Sequence, residues 1–182
     1  MQYFLSLNKA SGELCRTFKQ DLFPTEVPVT AEERAFPLGF ILTVYKSINQ
    51  VARLLRLIYR PQNFYVIHVD RKSPQEFYDA VQEIATCFGA NVGVVPRSQS
   101  VNVIWGKYTV LEQELIAARM LLRMGKWKYF INLTGQEMPL KTNLELVLAL
   151  KMLNGSNIVD ATLKRQDMPR ITEEKLSFPV SM

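Results

Sequence analysis

Two carboxylates of this 182-residue chain sit where carboxylates can do chemistry. Asp70 closes the apolar run NFYVIHV; there it can accept hydrogen bonds from a ribose hydroxyl or a base N–H, or simply cap the turn into Arg71 and Lys72. Glu137, in GQEMPLK, is open to the same pair of readings, a site carboxylate or a solvated loop residue. Trp105 and Tyr108, in VIWGKYT, present aromatic faces that either stack on a base or sugar or fill the core. His68, the one histidine, lies inside the apolar run and reads as a core residue ahead of a catalytic one. A lone histidine with no placed nucleophile makes no Ser-His-Asp triad. With two cysteines beside it, a zinc site of ordinary ligand type cannot be assembled. Asn132-Leu133-Thr134 and Asn154-Gly155-Ser156 are N-glycosylation sequons by type; the first falls at a strand end and is expected to be buried, and the second follows a helix and is open to use.

The elements that must hold these residues can be read from hydrophobic period. Residues 38–45, LGFILTVY, form a continuous apolar and β-branched run after Pro37, as expected of a central strand covered on both faces. Ile48, Val51, Leu54, Leu55 and Ile58 then recur at helical spacing, with Arg53, Arg56 and Arg60 on another stripe and Pro61 as the stop. NFYVIHV is a second strand. Ser73-Pro74-Gln75-Glu76 reads as a capping box opening a helix that buries Phe77, Val81, Ile84 and Phe88. A short strand over 92–95 follows, then a long helix over 109–124 with Leu111, Leu115, Ala118 and Leu122 on one side, then a strand over 128–133. Thr142-Asn143-Leu144-Glu145 is a second capping box, whose helix ends near Asn154-Gly155. Residues 1–36, punctuated by Pro24 and Pro28, are expected to pack as an irregular extension. The order β-α-β-α-β-α-β-α predicts an α/β fold, a mostly parallel sheet with helices on both faces. Ligands of such sheets bind at the carboxyl ends of the strands. That rule gathers Tyr45-Lys46, His68-Val69-Asp70, Pro96-Arg97 and Thr134-Gly135-Gln136-Glu137 on one rim.

Composition narrows the function classes. Nearly half the residues are hydrophobic (48%) and 21% are charged, which favours a packed globular chain over disorder. The net charge is +5, and residues 37–159 carry fourteen basic against eight acidic side chains. The surplus suits an anionic ligand, but it is modest and dispersed, so no nucleic-acid partner is expected. Neither GxGxxG nor GxxxxGK[ST] occurs, which removes most support for classical dinucleotide or P-loop chemistry. No run of eighteen apolar residues is present and the first residues do not read as a signal peptide, so no membrane anchor is expected in the chain as written.

The strings FPLGFILTVYK, IYRPQNFYVIHVDRKS, ATCF, WKYFINLTGQEMPLKTNLELV and LKMLNGSN occur in one order. Together they resemble the core-2/I-branching β-1,6-N-acetylglucosaminyltransferases of glycosyltransferase family 14, over about residues 12–160. Peptide O-xylosyltransferases share that domain, but the wording WKYFINLTGQEMPLKTN is closer to the branching enzymes. The resemblance implies a GT-A-like (Rossmann-like) fold and transfer of GlcNAc from UDP-GlcNAc to the 6-hydroxyl of a glycan acceptor, with inversion. It also implies a type II protein of the Golgi membrane facing the lumen, anchored through a segment absent from this chain. No cofactor is implied, because the family works without a metal; independently, no Asp-x-Asp occurs here. By the same resemblance Cys15 and Cys87 form a disulfide, Asp70 contacts the uracil and Trp105 lies beside the base; Glu137, placed on the rim by the strand-end rule, is expected among the donor-binding residues with them. Asp160 falls at the acceptor-binding position. A second family disulfide would join the places held here by Val66 and approximately Ala117. The family's catalytic glutamate and leaving-group cations lie beyond position 182, so no catalytic residue is expected in this chain. It reads as residues 37–160 of a partial nucleotide-sugar-binding domain, truncated at the C-terminus, with 161–182 an irregular tail. A peptide O-xylosyltransferase-like enzyme and a non-catalytic UDP-sugar-binding module are the alternatives.

Overall fold

The computed structural model describes residues 13–22 and 27–158. Two helices, α1 (Glu13–Leu22) and α2 (Ala31–Arg34), precede strand β1 (Leu38–Val44). Helix α3 (Ile48–Ile58), strand β2 (Phe64–Val69), helix α4 (Gln75–Thr86) and strand β3 (Val92–Val94) follow, and a 3-10 turn (Arg97–Gln99) leads on to helix α5 (Thr109–Met124). Strand β4 (Tyr129–Thr134) and helix α6 (Asn143–Met152) complete the series. One compact unit extends to Met152 and a second begins at Leu153, where a turn is closed by the Ser156 N–H donating to the Leu153 carbonyl.

The four strands form one parallel sheet in the order β3-β2-β1-β4. All seven residues of β1 are buried, as its unbroken apolar sequence requires of a strand covered on both faces. Alternate side chains of a strand point to opposite faces, and helices cover each. On one face Ile41, Val66 and Val95 pack against Ala117 and Leu121 of α5. On the other, Phe40 stacks on its register partner Tyr65 at 5.3 Å, and the aromatic series continues through Tyr59 to Phe88 and Phe18. The mostly parallel α/β architecture is therefore present.

Three expectations need correction. The N-terminal extension is not irregular over its described part. Cys15 and Phe18, one helical turn apart, face the body of the protein from α1, where Phe18 is fully buried and edge-on to Phe88. Thr30 and Glu33 form a reciprocal capping box that starts α2. Second, Ser73 does not cap α4: its hydroxyl donates to the Tyr45 carbonyl at 2.9 Å, and Pro74 occupies the position before the helix. Third, α5 is rotated from its expected setting. Leu111, Leu115 and Leu122 are exposed while Gln113, Ala117 and Leu121 are buried.

Two cross-connections fix the frame. The Cys15–Cys87 disulfide is formed, with Cα atoms 4.9 Å apart across 72 residues of sequence. At the amino ends of the strands the Leu38 N–H donates to Asn63 Oδ1, Asn63 Nδ2 to Asn143 Oδ1, and Asn143 Nδ2 to Glu33 Oε1, all within 3.0 Å. Burial pushes the Glu33 carboxyl up, but the hydrogen bonds from Thr30 and Asn143 outweigh it and leave it below its usual range. The expected box at Thr142 is present, with the Glu145 N–H on Thr142 Oγ1 and the Thr142 N–H on Glu145 Oε2.

Candidate donor site

The chain leaves β1 for β2 on one side and returns from β3 to β4 on the other, so the direction of winding reverses between β1 and β4. A crevice outside the carboxyl ends of the strands opens at such a reversal. Its mouth holds Tyr45 and Gln136, joined by a hydrogen bond from Gln136 Nε2 to the Tyr45 hydroxyl at 2.7 Å. Lys46, with Gln136, holds the Tyr45 phenol below its usual range. Gly135 lies tight against β1: a Cβ there would meet Val44 Cγ1 at 3.0 Å.

Asp70 stands at the carboxyl end of β2, its side chain 11% exposed. Its own N–H donates to the Val44 carbonyl, which welds the end of β2 to that of β1. Asp70 Oδ1 accepts from the Lys72 N–H at 2.8 Å, while the Lys72 ammonium lies 3.8 Å from Oδ2. Thus the turn-capping reading of this carboxylate is realised, and one oxygen is committed to it. His68 is wholly buried one residue before Val69, and its Nε2 accepts from the Val101 N–H at 3.1 Å. It is a core histidine that pins a loop, and burial lowers its imidazole to about 4.

That loop carries Trp105. The Arg71 N–H donates to the Val101 carbonyl, the Lys72 ammonium to the Val103 carbonyl, and the Ile104 N–H to Thr109 Oγ1. Trp105 (84% exposed) and Tyr108 (66%) therefore do not fill the core; their rings face solvent on a loop tied to the Asp70 turn. Glu137 is separated from Asp70 along the rim by β1. It is exposed, and its Oε2 accepts the Thr134 N–H, closing the turn after β4. Asp160 lies outside the described residues. Lys46, Arg71 and Lys72 surround the strand ends as exposed cations, a setting that favours a polyanionic group. Among the described residues no cluster of His, Cys, Asp and Glu could hold a metal ion.

The sequence model of the Core-2/I-Branching enzyme family matches residues 38–177. The chain belongs to the core-2/I-branching family. A cattle (Bos taurus) beta-1,3-galactosyl-O-glycosyl-glycoprotein beta-1,6-N-acetylglucosaminyltransferase 3 is 37% identical over 162 residues, covering 88% of this chain and 35% of the relative. The human (Homo sapiens) protein of that name is 38% identical over 87% of this chain and 35% of its own length. A second human relative, beta-1,3-galactosyl-O-glycosyl-glycoprotein beta-1,6-N-acetylglucosaminyltransferase, is 42% identical over 81% and 33%. The chain spans about a third of the length of these curated relatives.

Within this core-2/I-branching domain, Val66 and Ala117, which hold the places of the second family disulfide and so leave it unmade here, lie together in one fully buried cluster. Apolar contact occupies the place of a bridge. Arg97 is a rim residue to which sequence reasoning gave no role. Its guanidinium donates to the carbonyls of Asp70 (3.1 Å), Arg71 (2.9 Å) and Ser73 (2.6 Å). Because those acceptors are backbone atoms, no residue type in the sequence could have announced the contact.

Proposed function

We propose that this chain carries the donor-binding part of a β-1,6-N-acetylglucosaminyltransferase that uses UDP-GlcNAc, inverts the anomeric centre and needs no metal. The observation that carries the reading is the rim itself: in a member of this family, a nearly buried carboxylate, Asp70, ends β2 on a turn tied to the loop that presents Trp105. In this reading Asp70 accepts from the uracil N–H, and the exposed indole stacks on the base. Lys46 and Lys72 face the diphosphate, while Glu137 shapes the rim through its turn. Transfer would be a single displacement in which a general base takes the proton of the acceptor 6-hydroxyl as that oxygen attacks the anomeric carbon. Cations would take the charge growing on the departing UDP. That chemistry needs groups beyond those assigned to this chain, and Asp160 is the proposed acceptor contact.

The test is calorimetry on the purified chain with UDP, ADP and GDP in the presence of a chelator. We expect selective UDP binding that Asp70→Ala weakens by about 1–3 kcal/mol, the cost of losing a buried polar contact. Equal binding of all three nucleotides, or an unchanged affinity in a folded Asp70→Ala protein, would remove this assignment. By the same proposal the 182-residue chain transfers little or no GlcNAc by itself, and rapid turnover in a radiolabelled-donor assay would contradict it.

A Golgi-lumenal location is part of the proposal, and the Cys15–Cys87 disulfide supports an oxidising compartment. The two sequons separate there. Asn132 is half-buried in β4 with its Nδ2 donating to Glu114 at 2.6 Å, whereas Asn154 is exposed on the turn after α6. We expect a single glycosidase-sensitive mobility shift in secretory expression, lost in Asn154→Gln and kept in Asn132→Gln.

A further inference from the structure

Arg97 follows β3 by way of Val95 and Pro96 and opens the 3-10 turn. An arginine at a phosphate-binding rim would ordinarily be assigned to the phosphates. Here the fork points inward. Two of its nitrogens take the carbonyls of three residues of the turn 70–73, and the guanidinium lies 5.4 Å from the centre of the Tyr78 ring. Tyr78 is itself held, its hydroxyl donating to the Val95 carbonyl at 3.2 Å. Three carbonyls converging on one cation suit a planar, multi-donor guanidinium and do not suit a point-charge ammonium. The same turn is gripped from its other sides, by the Asp70 N–H on Val44, the Ser73 hydroxyl on Tyr45 and the Arg71 N–H on Val101.

We propose that Arg97 is a positioning residue for base recognition: it clamps the 70–73 turn so that Asp70 is presented to the uracil, without touching the phosphates. The inference rests on the donor-site reading above. Losing the fork would leave three carbonyls of the turn without their shared donor and shift the recognising carboxylate on its remaining ties, so the effect falls on the choice of base, and it falls on uridine as much as on UDP. A phosphate-binding arginine would do the reverse, weakening UDP and CDP alike and leaving uridine untouched.

The experiment compares wild type, Arg97→Gln and Arg97→Lys by ligand-observed NMR titration with uridine, UDP and CDP, each protein first shown to be folded by circular dichroism. We expect Arg97→Gln to weaken uridine and UDP by at least about tenfold, the scale of losing charge-assisted hydrogen bonds, and to bring the UDP-to-CDP preference close to one. Arg97→Lys, which keeps the charge but not the fork, should fail to restore that preference. Unchanged uridine binding in either folded variant, or full rescue of base preference by lysine, overturns the clamp. If Arg97→Gln does not fold, Arg97→Lys carries the test by itself. Wild type that binds no uracil nucleotide would instead overturn the donor-site reading, and the clamp with it.

Discussion

His68 has no exposed surface, and burial takes its imidazole from 6.5 down to about 4 against the opposing pull of Asp70 and Gln113. The unfolded chain accepts a proton near pH 6.5 where the native protein resists it until about pH 4. Stability is therefore complete above the unfolded value and is lost as pH falls through that window, by about 3 kcal/mol at its lower end. Urea titrations at pH 7, 5.5 and 4 should show the loss. His68→Gln, which can still accept the Val101 N–H, should flatten it, and an equally steep slope in that variant would clear the histidine of responsibility. The core placement of His68 was legible because it sits inside an apolar strand. The position of Asp70 was legible for a related reason, since a charged residue ending such a run must emerge at the sheet edge. The turn-capping reading of Asp70 was legible too, and the Lys72 N–H on Oδ1 realises it; what could not be read was that Arg97 lies behind the turn, because that contact depends on main-chain carbonyls whose positions follow from the turn.

Helix α5 shows where spacing stops being informative. Leu111, Leu115 and Leu122 make a plausible buried stripe, yet the sheet beneath the helix decides which face goes in. β1 and β3 offer Gly39 and Gly93 there: a Cβ at Gly39 would meet Leu121 Cδ2 at 2.8 Å, and one at Gly93 would meet Met120 Cε at 2.5 Å. Side chains from α5 fill those notches, so the face that carries Ala117, Met120 and Leu121 turns inward and the leucine stripe turns out. Leu121→Ala should cost about 2–5 kcal/mol as a core cavity, whereas its neighbour Leu122→Ser, at a position 65% exposed, should stay within about 0.5 kcal/mol. Comparable losses in the two denaturation curves would mean that the rotation assigned to α5 is wrong. The helices α3 and α4 were readable because their periods were unambiguous, and β1 and β2 because their apolar runs are buried. At the start of α4, Ser73 looked like a cap by sequence and serves β1 instead, a choice made by the proximity of the Tyr45 carbonyl rather than by local pattern.

At the scale of the whole molecule, alternation of strands and helices was enough to give a parallel sheet with helices on both faces, and the β3-β2-β1-β4 order completes it. Helix α2 carried a local signal that sequence reasoning passed over, the Thr30-x-x-Glu33 capping box, whereas α1 was not legible, because its burial depends on partners far along the chain, such as Phe88 for Phe18. The disulfide across 72 residues ties that segment down. In the chain-entropy account its removal costs roughly 4 kcal/mol before any strain. Cys15→Ser with Cys87→Ser should therefore lower the unfolding free energy by about that amount, and a change below about 1 kcal/mol in a two-state urea transition would show that the cross-link constrains little. Its placement also orders events during synthesis. The bridged loop contains β1, α3, β2 and α4 but none of β3, α5 or β4. Once residue 87 has left the ribosome, an oxidising compartment can seal the first half of the sheet while the second half is still being made. The last strand then docks against a β1 already held in a covalent ring, and the longest search in assembling this sheet, between segments some ninety residues apart, starts from a template that cannot drift away.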